Sequence, residues 1–124
     1  MASDDLKTHL DAVRTFLALC FQTQPDAATF ERLLSNAAMA SWVMTKTVPS
    51  MTVNVVDGPP KARVPVLLLY GGKDNLVMTG ARIARAKELN PNVQSKVYPN
   101  SGHAPFLEEV PRFSRDLVEF AKST

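Results

Sequence analysis

The chain has 124 residues, of which 45% are hydrophobic and 21% charged. That is the composition of a folded globular chain and excludes a disordered tail, and a domain of this size buries roughly two-thirds of its unfolded surface around one modest core. The net charge is +2 with no long run of Lys or Arg, which argues against a nucleic-acid surface.

The first residues, Met1-Ala2-Ser3-Asp4-Asp5, are acidic and lack the basic start of a signal peptide. No apolar run approaches the roughly 20 residues that span a bilayer. A cytoplasmic location is the expectation. Residues 4 to 21 read as a helix. Leu6, Leu10, Val13, Leu17 and Cys20 recur at three- and four-residue steps and give one apolar stripe. Ser3 is the expected N-cap, with Asp4 and Asp5 complementing the positive end of the helix dipole. Cys20 is the single cysteine, so neither an intrachain disulfide nor a Cys-based metal cluster is expected. Its place on the apolar side favours a buried inert thiol over a reactive one.

Gln24-Pro25-Asp26 breaks the pattern, and Asp26 can cap a second helix over about residues 27 to 46. Phe30, Leu33, Leu34, Ala37, Ala38, Ser41 and Met44 share one face, with Trp42 beside it. Packing between helices is the plain reading, and the alternative is a helix that also lines an apolar substrate cavity. From Val48 to Ala62 the signals turn irregular: Pro49, Asp57-Gly58 and Pro59-Pro60 punctuate a loop, with a short extended piece around Met51, Val53, Val55 and Val56. The expected organisation is therefore a helical segment over 1–48, a linker over 49–63 and an α/β portion over 64–124.

Val64 to Tyr70 is a continuous apolar run without alternation, the pattern of a strand buried on both faces of a parallel sheet. Pro65 near its start costs little hydrogen bonding. Gly71-Gly72 ends the strand. A helix from about Thr79 to Leu89 follows, stopped by Asn90-Pro91. Residues 94 to 98 read as a second strand, Pro99-Asn100-Ser101-Gly102 as a turn, and Pro111 suits the first position of a final helix to about Ala121. Strand, helix, strand, helix is one crossover unit with a covering helix, hence an α/β fold class with parallel strands.

Two chemistry-bearing residues fall past the C-terminal ends of those strands, where open parallel sheets bind ligands. Asp74 follows the first strand and His103 the second. Side by side, the carboxylate fixes the tautomer of the imidazole and stabilises the imidazolium formed in general-base catalysis. Gly71, Gly72 and Gly102 are expected to allow the sharp turns that lift these side chains off the strands.

The run from Val64 to Val77, with Tyr70-Gly71-Gly72-Lys73-Asp74 at its centre, resembles the strand and acid loop of the α/β-hydrolase family. The run from Asn100 to Glu109, with Ser101-Gly102-His103-Ala104-Pro105-Phe106, resembles that family's histidine loop. The family's chain order of nucleophile, acid, histidine makes Asp74 and His103 the catalytic acid and histidine. The resemblance covers about residues 60 to 122 and makes 4 to 48 similar to the family's helical cap. One small departure is Val110-Pro111, where the family's proline stands one position earlier, which shifts the expected start of the final helix.

The larger departure is the nucleophile. No Gly-x-Ser-x-Gly occurs, and no two glycines stand four apart. Cys20, Ser35, Ser41 and Ser50 lie on predicted helix or linker and lack the strained strand-to-helix turn of a nucleophile elbow. The resemblance therefore implies a partial α/β-hydrolase fold, the acid–histidine portion of an ester or C–X bond hydrolase, poor as a catalyst alone. No cofactor and no metal are implied. Two strands make an incomplete parallel sheet, so the expected partner is a second copy of the chain or a complementary chain holding the N-terminal half of a hydrolase. Two other readings stand beside this one: a non-enzymatic remnant serving as an oligomerising or small-ligand module, and a cofactor-free member doing non-hydrolytic, oxygen-dependent chemistry.

Overall fold

The structure is a computed structural model, and it describes residues 5–40, 43, 47 and 59–123. Ser3, Ser41, Trp42, Met44, Ser50 and the extended piece around Met51 to Val56 lie outside the described residues. The chain divides into two compact units: residues 5–19 and 24–40 belong to one, and residues 20–23 and 59–123 to the other. No described helix is long and apolar enough to cross a membrane.

The first unit holds α1 (Leu6–Leu19) and α2 (Ala27–Ala38). Asp5 caps α1: its carboxylate accepts the Thr8 amide at 2.7 Å, and its carbonyl accepts the His9 amide at 2.9 Å. The helix thus starts later than periodicity suggests, because the first apolar residue, Leu6, needs a cap directly before it. The buried residues of α1 are His9 and Val13, an i, i+4 pair. Of the expected stripe Val13 is buried, Leu10, Leu17 and Cys20 are half-buried and Leu6 is exposed; the stripe misses His9, whose polarity hides it from an apolar count. Asp26 caps α2 as expected, accepting both the amide and the hydroxyl of Thr29 at 2.9 Å. Arg14 on α1 meets Glu31 on α2 at 2.9 Å. Helix α2 ends at Ala38, with Met39 as its C-cap, earlier than the expected end near residue 46.

The second unit opens with a 3₁₀ turn, Pro59–Lys61, and continues with β1 (Val66–Gly71), α3 (Thr79–Leu89), β2 (Val93–Tyr98), α4 (Pro105–Glu108) and α5 (Val110–Ser123). The strands pair in parallel, from Val66 opposite Val93 to Gly71 opposite Tyr98. Asn90 ends α3 and ties it down: it donates to the Ala62 carbonyl at 3.1 Å and accepts the Asn92 amide at 3.0 Å. Residues Val66 to Tyr70 are only half-buried. The faces of β1 are thus less covered than expected, and among the described residues it also has a hydrogen-bonded neighbour along one edge alone. Residues that are apolar enough to be central therefore line an open edge.

Helix α5 is fastened to β2 through polar groups. The hydroxyl of Tyr98, a fully buried residue, donates to Asp116 at 2.6 Å, and Lys96 donates to the other Asp116 oxygen at 2.8 Å. Arg112 stacks 4.3 Å from the Tyr98 ring centroid and donates to the Val97 carbonyl at 3.1 Å. The hydrogen bonds from Lys96 and Tyr98 hold the Asp116 carboxyl below its ordinary value despite burial. Burial and the neighbouring Asp116 push the Tyr98 phenol up to about 12. Pro111 is the second residue of α5, and the short helix α4 precedes it; a single turn of four residues has too little periodicity to be read from sequence.

Candidate active site

The acid loop begins where β1 ends. The Gly72 amide donates to the Tyr98 carbonyl at 2.7 Å, and the Lys73 amide to the Ser101 carbonyl at 3.0 Å. The two loops that follow the strands are thereby zipped together beyond the sheet. None of the described glycines has positive φ, so the turns at Gly71, Gly72 and Gly102 need no left-handed backbone. Their use is close approach: a Cβ on Gly71 would overlap the Gly102 carbonyl, and one on Gly72 would lie 2.8 Å from Pro99 Cα. Thr79, at the start of α3, donates its hydroxyl to the Gly71 carbonyl at 2.8 Å.

Asp74 is held from both sides. Its Oδ1 accepts the amides of Leu76 at 2.8 Å and Val77 at 3.2 Å, an Asx turn that fixes the carboxylate plane. Its Oδ2 lies 2.8 Å from His103 Nδ1. Burial pushes the Asp74 carboxyl up, but the hydrogen bonds from His103, Leu76 and Val77 outweigh it and leave the group below its ordinary value. The Asp74 side chain is 1% exposed and that of His103 is 44% exposed. With Asp74 ionised, Nδ1 is the donor and Nε2 is the acceptor nitrogen of the neutral ring. The structure therefore brings together both residues singled out in the sequence, with the acid shielded and the imidazole open.

Cys20 follows α1 in a turn and lies in the same unit as this pair. Burial, and then the charge of Asp74, push its thiol up, so it is a thiol and a poor nucleophile. Ser35 donates to the Glu31 carbonyl within α2 at 2.8 Å. Among the described residues no group of three or more His, Cys, Asp or Glu is placed to hold a metal ion.

The histidine loop is braced by two carboxylates that local sequence patterns alone do not mark as part of the site. Ser101, fully buried, donates to Glu109 at 2.6 Å. The Gly102 amide donates to Glu108 at 2.8 Å. An acidic pair six and seven residues after a glycine–histidine loop was a signal in the sequence, but only a short intervening helix turns those carboxylates back onto the loop.

No family model matches the chain. It is 30% identical to the pimeloyl-acyl-carrier-protein methyl ester esterase of Vibrio cholerae, over 88% of this chain and 45% of that protein. A crystal structure of a candidate aryl esterase from Burkholderia cenocepacia is 58% identical, with a TM-score of 0.96 over 99% of this chain and 45% of that one. An esterase structure from Rhodococcus, 24% identical, shares the fold with a TM-score of 0.85 over 98% of this chain and 44% of its own. The chain spans about half the length of the relatives it matches.

Proposed function

Because the chain is the C-terminal portion of an α/β-hydrolase fold, similar in sequence to esterases, we propose that it supplies the acid, Asp74, and the base, His103, of an ester-hydrolysing site. The observation that carries this reading is the 2.8 Å contact between Asp74 Oδ2 and His103 Nδ1, with the acid buried and the ring exposed. His103 Nε2 takes the proton of the attacking hydroxyl and later gives it to the departing alkoxide. Asp74 holds the ring in the tautomer with Nδ1–H and stabilises the imidazolium between those steps. The nucleophile and the oxyanion donors come from the other half of the fold, and the open edge of β1 is where that half completes the sheet. That half comes with a separate chain; in the alternative, a second copy pairs at the same edge and extends the sheet without supplying a nucleophile, and a compact monomer in sedimentation would sink the dimer. The names of two similar proteins, a methyl ester esterase and a candidate aryl esterase, support small carboxylic esters as the substrate class.

A chimera tests this. The N-terminal part of the Burkholderia cenocepacia protein, joined to this chain in place of its own matching region, is expected to hydrolyse p-nitrophenyl acetate. His103→Ala should abolish that turnover, while this chain alone should be nearly inactive, since each missing oxyanion donor costs about 3–4 kcal/mol of barrier. A well-folded chimera without turnover, or with turnover indifferent to His103→Ala, would favour the non-enzymatic module instead.

A further inference from the structure

The Glu108 carboxylate accepts two backbone amides at once: Gly102 at 2.8 Å on Oε1 and Thr23 at 2.7 Å on Oε2. Gly102 directly precedes His103. The segment 20–23, which joins α1 to α2, lies in the same unit as the histidine loop. It packs against Gly102 so closely that a Cβ there would stand 2.7 Å from the Gln22 nitrogen and 3.0 Å from the Cys20 carbonyl oxygen. Glycine and glutamate thus act together: the missing side chain lets the two segments touch, and the carboxylate bolts them together with two charge-assisted hydrogen bonds.

His103 needs such an anchor. Its side chain is 44% exposed, and its hydrogen-bonded partner among the described residues is Asp74. An exposed ring keeps a productive position to within about 0.5 Å only when its backbone is fixed by neighbours. We propose that Glu108 is a positioning residue for His103: by clamping the Gly102 amide to segment 20–23, it sets where the imidazole stands relative to Asp74. The kinetic consequence rests on the reading of His103 as the base; the geometric content does not.

Glu108→Gln is the variant to use. A glutamine offers one acceptor oxygen and turns an NH₂ group toward the second amide, so one bond is lost and a donor faces a donor. The readout on this chain itself is the strongly downfield Nδ1 proton of His103 in low-temperature NMR, assigned by its loss in Asp74→Asn. Glu108→Gln is expected to erase or broaden that resonance while circular dichroism keeps the helix content. Asp26→Ala, which removes the cap of α2, should lower the melting temperature and leave the resonance in place. Should Glu108→Gln fail to fold, Thr23→Pro deletes one donor and is read in the same way. In the chimera, Glu108→Gln should lower kcat about 10–100-fold with KM nearly unchanged. A chimera whose turnover ignores His103→Ala overturns the hydrolase reading but not the clamp. A folded Glu108→Gln chain with an unmoved Nδ1 resonance overturns the clamp.

Discussion

Two carboxylates in the second unit have similar surroundings on paper and different consequences. Asp116 and Asp74 are both buried, both accept several hydrogen bonds, and both lie below their ordinary value. Asp116 spends its oxygens on Tyr98 and Lys96, and the Tyr98 hydroxyl it accepts from is fully enclosed. Asp74 spends one oxygen on its own loop and the other on an imidazole that is open to solvent. The first arrangement uses up its hydrogen-bonding capacity in holding α5 to β2. The second leaves one ring nitrogen for work. A lowered carboxyl alone does not separate structure from chemistry; here the difference is that the exposed imidazole keeps a second nitrogen able to accept a proton, whereas the Tyr98 phenol is enclosed and the Lys96 ammonium, though 38% exposed, has only donors to offer.

The difference can be broken from either side. Gly71→Ala should have the largest effect, destabilising the chain by about 3 kcal/mol, because the added Cβ overlaps the Gly102 carbonyl and must pry the two loops apart. Chemical denaturation measures the loss, and the downfield His103 proton should vanish with it while the Tyr98–Asp116 contact persists. Asp116→Ala should come next, at about 1–3 kcal/mol, because it strands the buried Tyr98 hydroxyl. Here denaturation should record the loss and the His103 resonance should remain.

Acid sharpens the comparison with a smaller effect. Folding lowers both carboxyls below 3.8, so the unfolded chain binds these protons more readily. Their contribution is complete above that value and is lost as the pH falls through the lowered folded values. Asp116→Asn and Asp74→Asn should each remove part of the acid-induced loss in a melting-temperature series, and a series unchanged in both would contradict the assignment. The smallest effect is alkaline. Tyr98 rises from 10.0 to about 12, so its contribution is complete below 10 and is lost as the pH rises through 12. Tyr98→Phe should flatten that alkaline limb in the same series.

Much of this site was legible in the chain. An apolar run ended by Gly71-Gly72 and a second strand closed by the turn at 99–102 place Asp74 and His103 past two strand ends, and Asp26 after a proline marks the start of α2. What stayed hidden depends on contacts distant in sequence. The burial of His9 cannot be read from a hydrophobic pattern, because imidazole counts as polar there. The need for glycine at positions 71, 72 and 102 comes from backbone meeting backbone across two loops, which no local turn rule contains. Glu108 and Glu109 look like the exposed first turn of a helix until α4 folds them back onto Ser101 and Gly102.

Asp74→Asn in the p-nitrophenyl acetate-active chimera tests the central claim most directly, because it preserves shape and removes only the charge and the tautomer control. With Asp74 as the orienting acid, kcat should fall by roughly 10⁴-fold while KM changes little. A kcat equal to that of the unmodified chimera would show that the Asp74–His103 contact is structural, like that of Tyr98 with Asp116.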